Sequence, residues 1–543
     1  MTRPTRTTRA AVTARPARPA AVLAVMCLAV FAVNVDTTIV NVTLPTLFRD
    51  LGATTRELQW IVGAYLLVFA ALVLAGGGLS DRLGRRAVLI VGLAVFGLAN
   101  GLASVCDTPV ELIGARALAG VGAAAAFPTT LSIISQTFED RAARAKAIGI
   151  WGASGGLAVA FGPITGGALL EQYWWGSTFL VKVPVALVAI VLVTRLVPES
   201  RAPAAPRLDL PGLVLSAAAL AALVYAIIEA PERGWASPPS LLGFSAATVF
   251  FALFVRQERR TPEPLLDLAL FSDRRFTAAS LAITIAFFAL FGFIFLITQY
   301  FQFVRGYGAL EAGVRTLPVA LCIAAGSVVG MPLAVRLGNK VVVTAGLLCL
   351  AVAYGWISTA STTTTYTEIA AQMVFLGLGM GLTSAPATES IMGAVQTDKA
   401  GIGSAVDDAT REVGGTLGVA VIGSVFASLY TGSVDDIRAD LPDGLEQRAA
   451  ESIGTAFFIA EQLPAGPAAA LRTAAESGFF DGLQVGCLVA SGIALVGAAV
   501  VARTLPARPP RVSASGPEQL RSHGGGQGWA RVRPKPIARR PQG

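Results

Sequence analysis

The sequence predicts an all-α polytopic membrane protein with fourteen transmembrane helices. Its 543 residues are 54% hydrophobic and only 14% charged, with a mean hydropathy of +0.65, whereas soluble globular proteins carry about 25% charged residues. Apolar runs of about 20 residues, the length of helix that crosses about 30 Å of hydrocarbon, recur along nearly the whole chain. Arginine and lysine lie mainly between these runs, as expected for the loops of a membrane protein.

The fourteen apolar runs define spans 1 to 14, numbered in chain order. Their approximate ranges are 20–44, 57–79, 87–106, 110–136, 146–170, 177–197, 209–229, 239–256, 276–300, 311–334, 340–360, 367–388, 402–429 and 482–503. The first span follows a basic stretch but is too long, and too polar at its outer end, for a cleaved signal peptide. We therefore interpret it as an uncleaved first helix.

The basic residues predict which side of the membrane faces the cytoplasm. With an even number of spans, both termini lie on one side. If that side is the cytoplasm, cytoplasmic tails and loops with the adjoining span ends hold 31 of the 42 Lys and Arg residues, outer segments hold 7 and span interiors hold 4. Short loops rich in these residues stay inside. We predict an inner (cytoplasmic) membrane protein with both termini cytoplasmic, and we attribute its net charge of +8 to topology and not to nucleic-acid binding.

Several chemistries are excluded by residue usage. The five cysteines show no paired or metal-ligand spacing, and the single histidine, His523, lies in the C-terminal tail. None of the five lysines follows a glycine, which a phosphate-binding P-loop requires. We expect no metal and no cofactor. A channel, a membrane-embedded enzyme or a carrier driven by ion or solute gradients remains.

An internal repeat favours the carrier. Arg82, Leu83 and Gly84 between spans 2 and 3 recur as Arg336, Leu337 and Gly338 between spans 10 and 11, which is 254 residues or eight helices later. Carriers are commonly built from repeated bundles that rock around a central site. The predicted organisation is a basic cytoplasmic tail at 1–19, a six-helix bundle at 20–197, two inserted helices at 198–260, a second six-helix bundle at 261–503 and a basic disordered tail at 504–543.

The loop between spans 2 and 3 concentrates an acid and three arginines between two apolar runs. Asp81 can cap the next helix and pair with arginines, while glycines permit tight turns. We predict a cytoplasmic gate that joins the two bundles in one state and releases them in another; the alternative is a simple positive anchor. The predicted gate residues are Gly77, Asp81, Arg82, Gly84, Arg85 and Arg86.

Ionisable residues within spans are costly and point to function. Asp36 lies about two thirds of the way along span 1 and is predicted to carry protons, with a structural partnership to Asn34 or Asn41 as the alternative. Arg116 in span 4 should face the bundle interior, either to relay proton occupancy or as part of a structural ion pair. Both residues are proton-coupling candidates.

Spans 5 and 13 carry two further patterns. In span 5, small residues and a proline recur at steps of three or four, so that another helix can approach closely. In span 13, acids and an arginine stand at i,i+3 and i,i+4 spacing, which predicts an ion-paired half-gate or, alternatively, a direct proton role. The span 13 residues are Asp407, Asp408, Arg411 and Glu412, and the span 5 series is Gly152, Gly156, Ala160, Pro163 and Gly167.

These motifs resemble the fourteen-helix drug:proton antiporter branch of the major facilitator superfamily. The loop after span 2 is similar to the superfamily's cytoplasmic motif, and DTTIVNVTLP from Asp36 to Pro45 is similar to the signature of this branch. The segment around Arg411 resembles a further family segment. In span 4, the residues similar to the branch's intramembrane arginine motif are Arg116, Gly120 and Gly122. In span 5, the residues that resemble the antiporter signature are Gly162, Pro163, Gly166 and Gly167.

The resemblance implies the major facilitator fold, and it also has departures. Lys182 stands in span 6 where asparagine is usual, either to bind an anionic substrate group or, as we favour, to extend its amine to the outer surface. Gly63 stands in span 2 where many relatives carry an acid, which argues against a preference for multiply charged cations. Ala119 replaces a frequent glutamine.

Together, these features predict a secondary active exporter in which proton entry drives extrusion of an apolar or amphipathic small molecule, conferring resistance. We expect a monomer in the lipid bilayer whose partners are protons and a small-molecule substrate. Alternatives are a proton-coupled importer and an enzyme acting on lipid-linked substrates. A long acidic outer loop at 430–480 should contain short amphipathic helices. The predicted cavity is aromatic, unless these residues face lipid: Phe287, Phe288, Phe291, Phe295, Gln299 and Tyr300.

Overall fold

Fourteen long apolar helices form the framework of the computed structural model, which describes residues 19–138, 140–201, 208–395, 400–435, 441, 445, 449–450 and 452–506. The predicted fold class and the number of spans are confirmed. Both predicted tails lie outside the described residues, except at their inner ends. The spans are Pro19–Leu51, Thr55–Leu83, Arg85–Ala103, Pro109–Thr137, Lys146–Gln172, Ser177–Leu196, Leu210–Arg233, Pro238–Glu258, Arg274–Val304, Ala309–Leu337, Asn339–Ile357, Tyr366–Ala394, Gly403–Val434 and Ala465–Thr504.

Local sequence signals set where many spans begin and end. Thr54 precedes span 2 and forms a capping box with Glu57, in which each side chain binds the other residue's backbone N–H. Gly84 (φ +116°) joins spans 2 and 3, and Gly338 (φ +93°) joins spans 10 and 11. These positive φ angles favour glycine. The internal repeat therefore marks the same tight helix junction in each bundle.

The same close approach of two helices at small residues occurs within each bundle. A Cβ on Gly92 of span 3 would lie 2.9 Å from the backbone of span 4. In the second bundle, a Cβ on Gly346 of span 11 would lie 2.9 Å from the Gly379 carbonyl of span 12. Gly92 and Gly346 are separated by the same 254 residues as the loop repeat. Such small-residue contacts let membrane helices pack backbone to backbone.

The inserted spans 7 and 8 pack against each other, and span 7 packs against span 2 of the first bundle and span 13 of the second. Val224 and Ile228 of span 7 form an apolar cluster with Leu67 and Ala420. Arg56 of span 2 forms ion pairs with Glu229 (3.3 Å) and Glu232 of span 7. Span 7 therefore lies against a seam between the two bundles.

The described part of the predicted outer loop at 430–480 is more apolar than predicted. Span 14 begins at Ala465, well before the predicted residue 482. The short helix Ile453–Ala460 is buried along most of its length, because it packs against spans 1, 9 and 14. The prediction of amphipathic helices is wrong for this segment. Residues 436–440, 442–444, 446–448 and 451 lie outside the described part.

Close contacts between the bundles concentrate at what we call the far end, where span 1 ends and span 2 begins. Gln302 of span 9 donates a hydrogen bond to the Val42 carbonyl of span 1 (3.0 Å). A Cβ on Gly167 of span 5 would lie 2.4 Å from Cα of Leu310 in span 10. The opposite end, which holds the loop after span 2, is called the near end.

Candidate functional site

Three charged side chains meet in the centre of the first bundle, and we call Asp36, Arg116 and Lys182 the buried ion cluster. Arg116 Nη1 donates to Asp36 Oδ2 at 2.5 Å, and Lys182 Nζ donates to Asp36 Oδ1. The exposed fractions are 0%, 1% and 2% for Asp36, Arg116 and Lys182. One buried carboxylate therefore holds two cations, each on a different oxygen atom.

Aromatic rings and a backbone carbonyl complete the surroundings of the two cations. Arg116 Nε donates to the Ile61 carbonyl (3.1 Å), and the guanidinium lies 4.3 Å from the ring centroid of Tyr65. The Lys182 amine lies 4.6 Å from the ring centroid of Phe179. Cation–π contact and hydrogen bonding partly replace the water that burial removes.

The geometry corrects three interpretations made from the sequence. Lys182 does not extend to the outer surface, because its amine forms an ion pair with the buried Asp36. Asp36 does not pair with the neighbouring asparagines: Asn34 donates to the Val30 carbonyl (3.0 Å) and Asn41 to the Thr37 carbonyl (2.9 Å) of their own helix. Asp36 also lies near the middle of span 1, since the helix continues to Leu51.

The span 13 residues form a second charged group in the other bundle. Arg411 Nη2 pairs with Asp407 Oδ2 at 2.6 Å, and Thr388 of span 12 bonds both side chains. Asp408 does not form the i,i+3 pair with Arg411 that the spacing predicted. Within the described structure, Asp408 Oδ2 and Glu412 Oε2 are buried without a hydrogen-bond partner.

Tyr65 connects the two charged groups. It lies in span 2, its ring contacts Arg116, and the charges of both Asp36 and Glu412 act on its hydroxyl. Its hydroxyl is oriented toward the Val33 carbonyl at 3.4 Å. Tyr65 therefore contacts the ion cluster of the first bundle and lies within electrostatic range of Glu412 in the second.

The predicted gate loop is held within the first bundle in this conformation. Arg85 Nη2 pairs with Asp81 Oδ1 at 2.7 Å. The start of span 3 is capped by Glu199, which accepts from the backbone N–H groups of Arg86 and Ala87 at 3.2 Å each, and not by Asp81 as predicted. Arg82 is exposed, and Gly77 lies inside the helix of span 2 and not in a turn.

Glu199 was missed from the sequence, although its position directly after span 6 places it on the same side as the gate loop. Its carboxylate passes so close to Gly84 that a Cβ there would lie 2.7 Å from Oε1. In the second bundle, Glu389 comes from span 12 instead and binds Arg275 (3.0 Å) and Asn339 (2.5 Å). An acid from another element therefore binds the helix junction in each bundle.

The span 5 residues contact two different neighbours. A Cβ on Gly162 would lie 2.0 Å from Thr38 Oγ1, and a Cβ on Gly166 would lie 2.8 Å from Ile39, so both glycines pack on span 1. Gly167 and the carbonyl of Pro163 instead face span 10. The motif therefore belongs both to the first bundle and to the contact between bundles.

The predicted cavity residues of span 9 do not share one face. Phe291 packs near Gly415 of span 13, whereas Tyr300 packs on Phe479 and Phe480 of span 14. Phe295 and Gln299 are also buried. The alternative that these side chains face lipid is excluded for all four. Gly63 of span 2 faces Ile228 of span 7.

Comparisons with known proteins agree with this arrangement. A family model described as Major Facilitator Superfamily matches residues 26–419. The multidrug efflux pump LfrA of Mycolicibacterium smegmatis is 38% identical over 87% of this chain and 94% of the pump. The methyl viologen resistance protein SmvA of Salmonella typhimurium is 34% identical over 83% of this chain and 91% of its own.

Two further comparisons concern export and fold. The tetracenomycin C resistance and export protein of Streptomyces glaucescens is 32% identical over 89% of this chain and 91% of its own. The crystal structure of a bacterial homolog of the human lysosomal transporter Spinster, in an inward-facing and occupied conformation, matches with a TM-score of 0.64 at 17% identity. It covers 90% of this chain and 98% of that chain, which supports the fold.

Proposed function

Because the chain belongs to the Major Facilitator Superfamily, we propose that it exports small apolar or amphipathic organic molecules across the cytoplasmic membrane by exchange for protons. The protein is a multi-pass transporter of a small-molecule substrate and not an enzyme. Relatives named for efflux, resistance and export support efflux-mediated resistance. The observation that carries proton coupling is the buried ion cluster, since charged groups within a membrane span mark ion pathways.

The proton gradient supplies enough free energy for this task. A membrane potential of 100 mV contributes about 2.3 kcal/mol for each elementary charge moved. That energy corresponds to about a 50-fold concentration ratio of the exported molecule. A ratio of this size is sufficient for resistance to a toxic compound.

The buried ion cluster and the acids of span 13 would both contribute to proton coupling. Asp36 and Arg116 belong to the proton-coupling centre of the first bundle. In the second bundle, Asp408 and Glu412 each bury an oxygen atom without a hydrogen-bond partner in the described structure, and binding a proton removes that cost of an uncompensated buried charge. Tyr65 gives the two centres a shared neighbour, so a change of charge in one is felt near the other.

The near end would act as the cytoplasmic gate. In this conformation the gate loop is bound to the end of span 6, and the bundles meet at the far end. When the far end opens, we propose that the loop, with exposed Arg82, contacts the second bundle and closes the near end. The span 13 group would contribute to this closure from the other side. We further propose that the protein acts as a monomer.

Efflux assays test the proposed function directly. Cells of a pump-deficient host that produce the protein should accumulate less methyl viologen or tetracenomycin C than cells with an empty vector. Collapsing the proton gradient with an ionophore should remove the difference. Extrusion that persists without a gradient would contradict proton coupling, and uptake in place of extrusion would support the importer. Comparing the two compounds also tests whether Gly63 disfavours multiply charged cations.

Cys106 tests the proposed orientation, because it lies in the loop between spans 3 and 4. Burial, together with the carboxylates of Glu111 and Asp107, raises the pKa of its thiol. Since the thiolate is the reactive form, a membrane-impermeant maleimide should label intact cells slowly at neutral pH and faster at alkaline pH. Cys106→Ser should lose this labelling. Labelling only after the cytoplasmic side is made accessible would place Cys106 in the cytoplasm and contradict the proposed orientation.

A further inference from the structure

The buried ion cluster contains one acid and two bases. With all three groups ionised, the cluster carries a net charge of +1. Each of its three residues is at most 2% exposed. An uncompensated charge buried away from water is costly. A change of protonation that removes the net charge would therefore lower the free energy of the buried cluster.

The three groups differ in what a change of protonation would do. Arg116 stays protonated, because a guanidinium does not release its proton in proteins. Protonating Asp36 would leave two buried cations without an anion. Removing a proton from Lys182 would instead leave Arg116 and Asp36 as a neutral pair. Lysine is also the cation whose protonation responds most readily to burial.

We propose that Lys182 is the group of the buried ion cluster that binds and releases the transported proton, while Asp36 and Arg116 remain its fixed charged partners. This inference rests on the proton-coupled export proposed above. It replaces Asp36 by Lys182 as the proton carrier of the first bundle.

The hydrogen bonds allow this exchange without loss of the remaining pair. Arg116 binds Asp36 Oδ2 and the Ile61 carbonyl, whereas Lys182 binds only the other oxygen, Oδ1. When Lys182 becomes neutral, the contact between Arg116 and Asp36 is unaffected. The four-carbon stem of lysine then lets the amine move away from the carboxylate.

The surroundings favour release of a proton from Lys182 and not from other groups. Asp36 of span 1 and Arg116 of span 4 are the charged groups that act on its amine, and the Phe179 ring of its own span lies beside it. Span 2 presents Tyr65, which contacts Arg116, and span 13 presents Glu412, which acts on Tyr65. Lys182 is also the first residue of the helix Lys182–Leu196, whose N-terminus carries partial positive charge.

The consequence is a cluster that alternates between a charge of +1 and a charge of zero. Lys182 would lose its proton to the cytoplasm and regain it when the cluster opens outward. A cationic molecule would be attracted less by the charged cluster than by the neutral one. Arrival of a proton would then favour release of the exported molecule, which is the order of events that antiport requires.

Titration of the purified full-length protein tests this assignment without a substrate. We compare wild type with Lys182→Met, which removes the charge, and Lys182→Arg, which keeps the charge and cannot release it. From about pH 6 to about pH 9, a range in which a solvated lysine with a pKa of about 10.4 stays protonated, the wild-type protein should exchange one more proton than either variant. Lys340→Met, at the near end, should match wild type.

Two outcomes would overturn the assignment. If Lys182→Arg exchanges as many protons as wild type, the carrier is another group, because arginine would be a fixed charge at this position. If Lys182→Met also matches wild type, the lysine does not change its protonation in this pH range. Size-exclusion profiles and circular dichroism establish that the variants are folded. The titration is independent of transport, so failure of export would contradict the proposed function and leave this result standing.

Discussion

Replacing Asp36 with asparagine is expected to lower the stability of the folded protein by about 3–5 kcal/mol and to abolish export. The substitution removes the single anion that holds two buried cations, and breaking a buried pair by removing one partner costs about that much. The aromatic contacts of Arg116 and Lys182 do not replace a counter-ion. Thermal unfolding in detergent, followed by size-exclusion chromatography, measures the loss.

Lys182→Met is the matched control for stability. It removes a charge of similar burial but leaves Arg116 and Asp36 as one acid and one base, so its loss of stability should be clearly smaller than that of Asp36→Asn. Equal losses would mean that packing and not charge balance holds the cluster together. An Asp36→Asn protein as stable as wild type would contradict the description of the cluster as buried and charged.

Replacing Gly167 with valine is expected to open the far end and to stop the transport cycle. A Cβ at this position would lie 2.4 Å from Cα of Leu310 and 2.6 Å from the Ala309 carbonyl, and these backbone atoms cannot move aside as a side chain could. A steric cost of about 1–3 kcal/mol shifts an equilibrium between two states by about 5- to 150-fold. The shift should disfavour the conformation in which spans 5 and 10 touch.

Accessibility of the far end measures this shift. With Cys106→Ser as background, a cysteine in place of Gln302, which bonds span 1 in the closed far end, should react faster with an impermeant maleimide when Gly167→Val is present. Gly152→Val is the control, because a Cβ at Gly152 meets no atom within 4 Å. Faster labelling in both variants would indicate general loosening, and unchanged labelling in Gly167→Val would contradict the proposed contact.

Several features were accessible from the sequence because they depend on local properties of the chain. Apolar runs of sufficient length must form helices in a membrane, since every backbone polar group has to be satisfied within the span. The repeat at Gly84 and Gly338 marked two equivalent junctions, because a positive φ angle strongly favours glycine. Arg116 was expected inside the bundle because a charge facing lipid would be too costly.

Other features needed the neighbours of each residue. Glu199 caps span 3 from the end of span 6, and Glu389 binds Asn339 across 50 residues of sequence. The Asp408 carboxylate stands at i,i+3 spacing from Arg411 in the helix, but Thr388 of span 12 helps direct Arg411 to Asp407. Helical spacing shows which pairs are possible, and the packing of adjacent helices selects among them.

The sequence by itself determined that this protein is a fourteen-helix membrane carrier with a duplicated bundle, because hydrophobic length, basic loops and glycine junctions act through local physics. Only the tertiary structure decided the partners of its buried charges. Lys182 lies 146 residues from Asp36 in the chain, near enough to a span end to suggest an exposed amine. Three helices bring it to the same carboxylate as Arg116, since a buried charge is stable only beside its counter-ion.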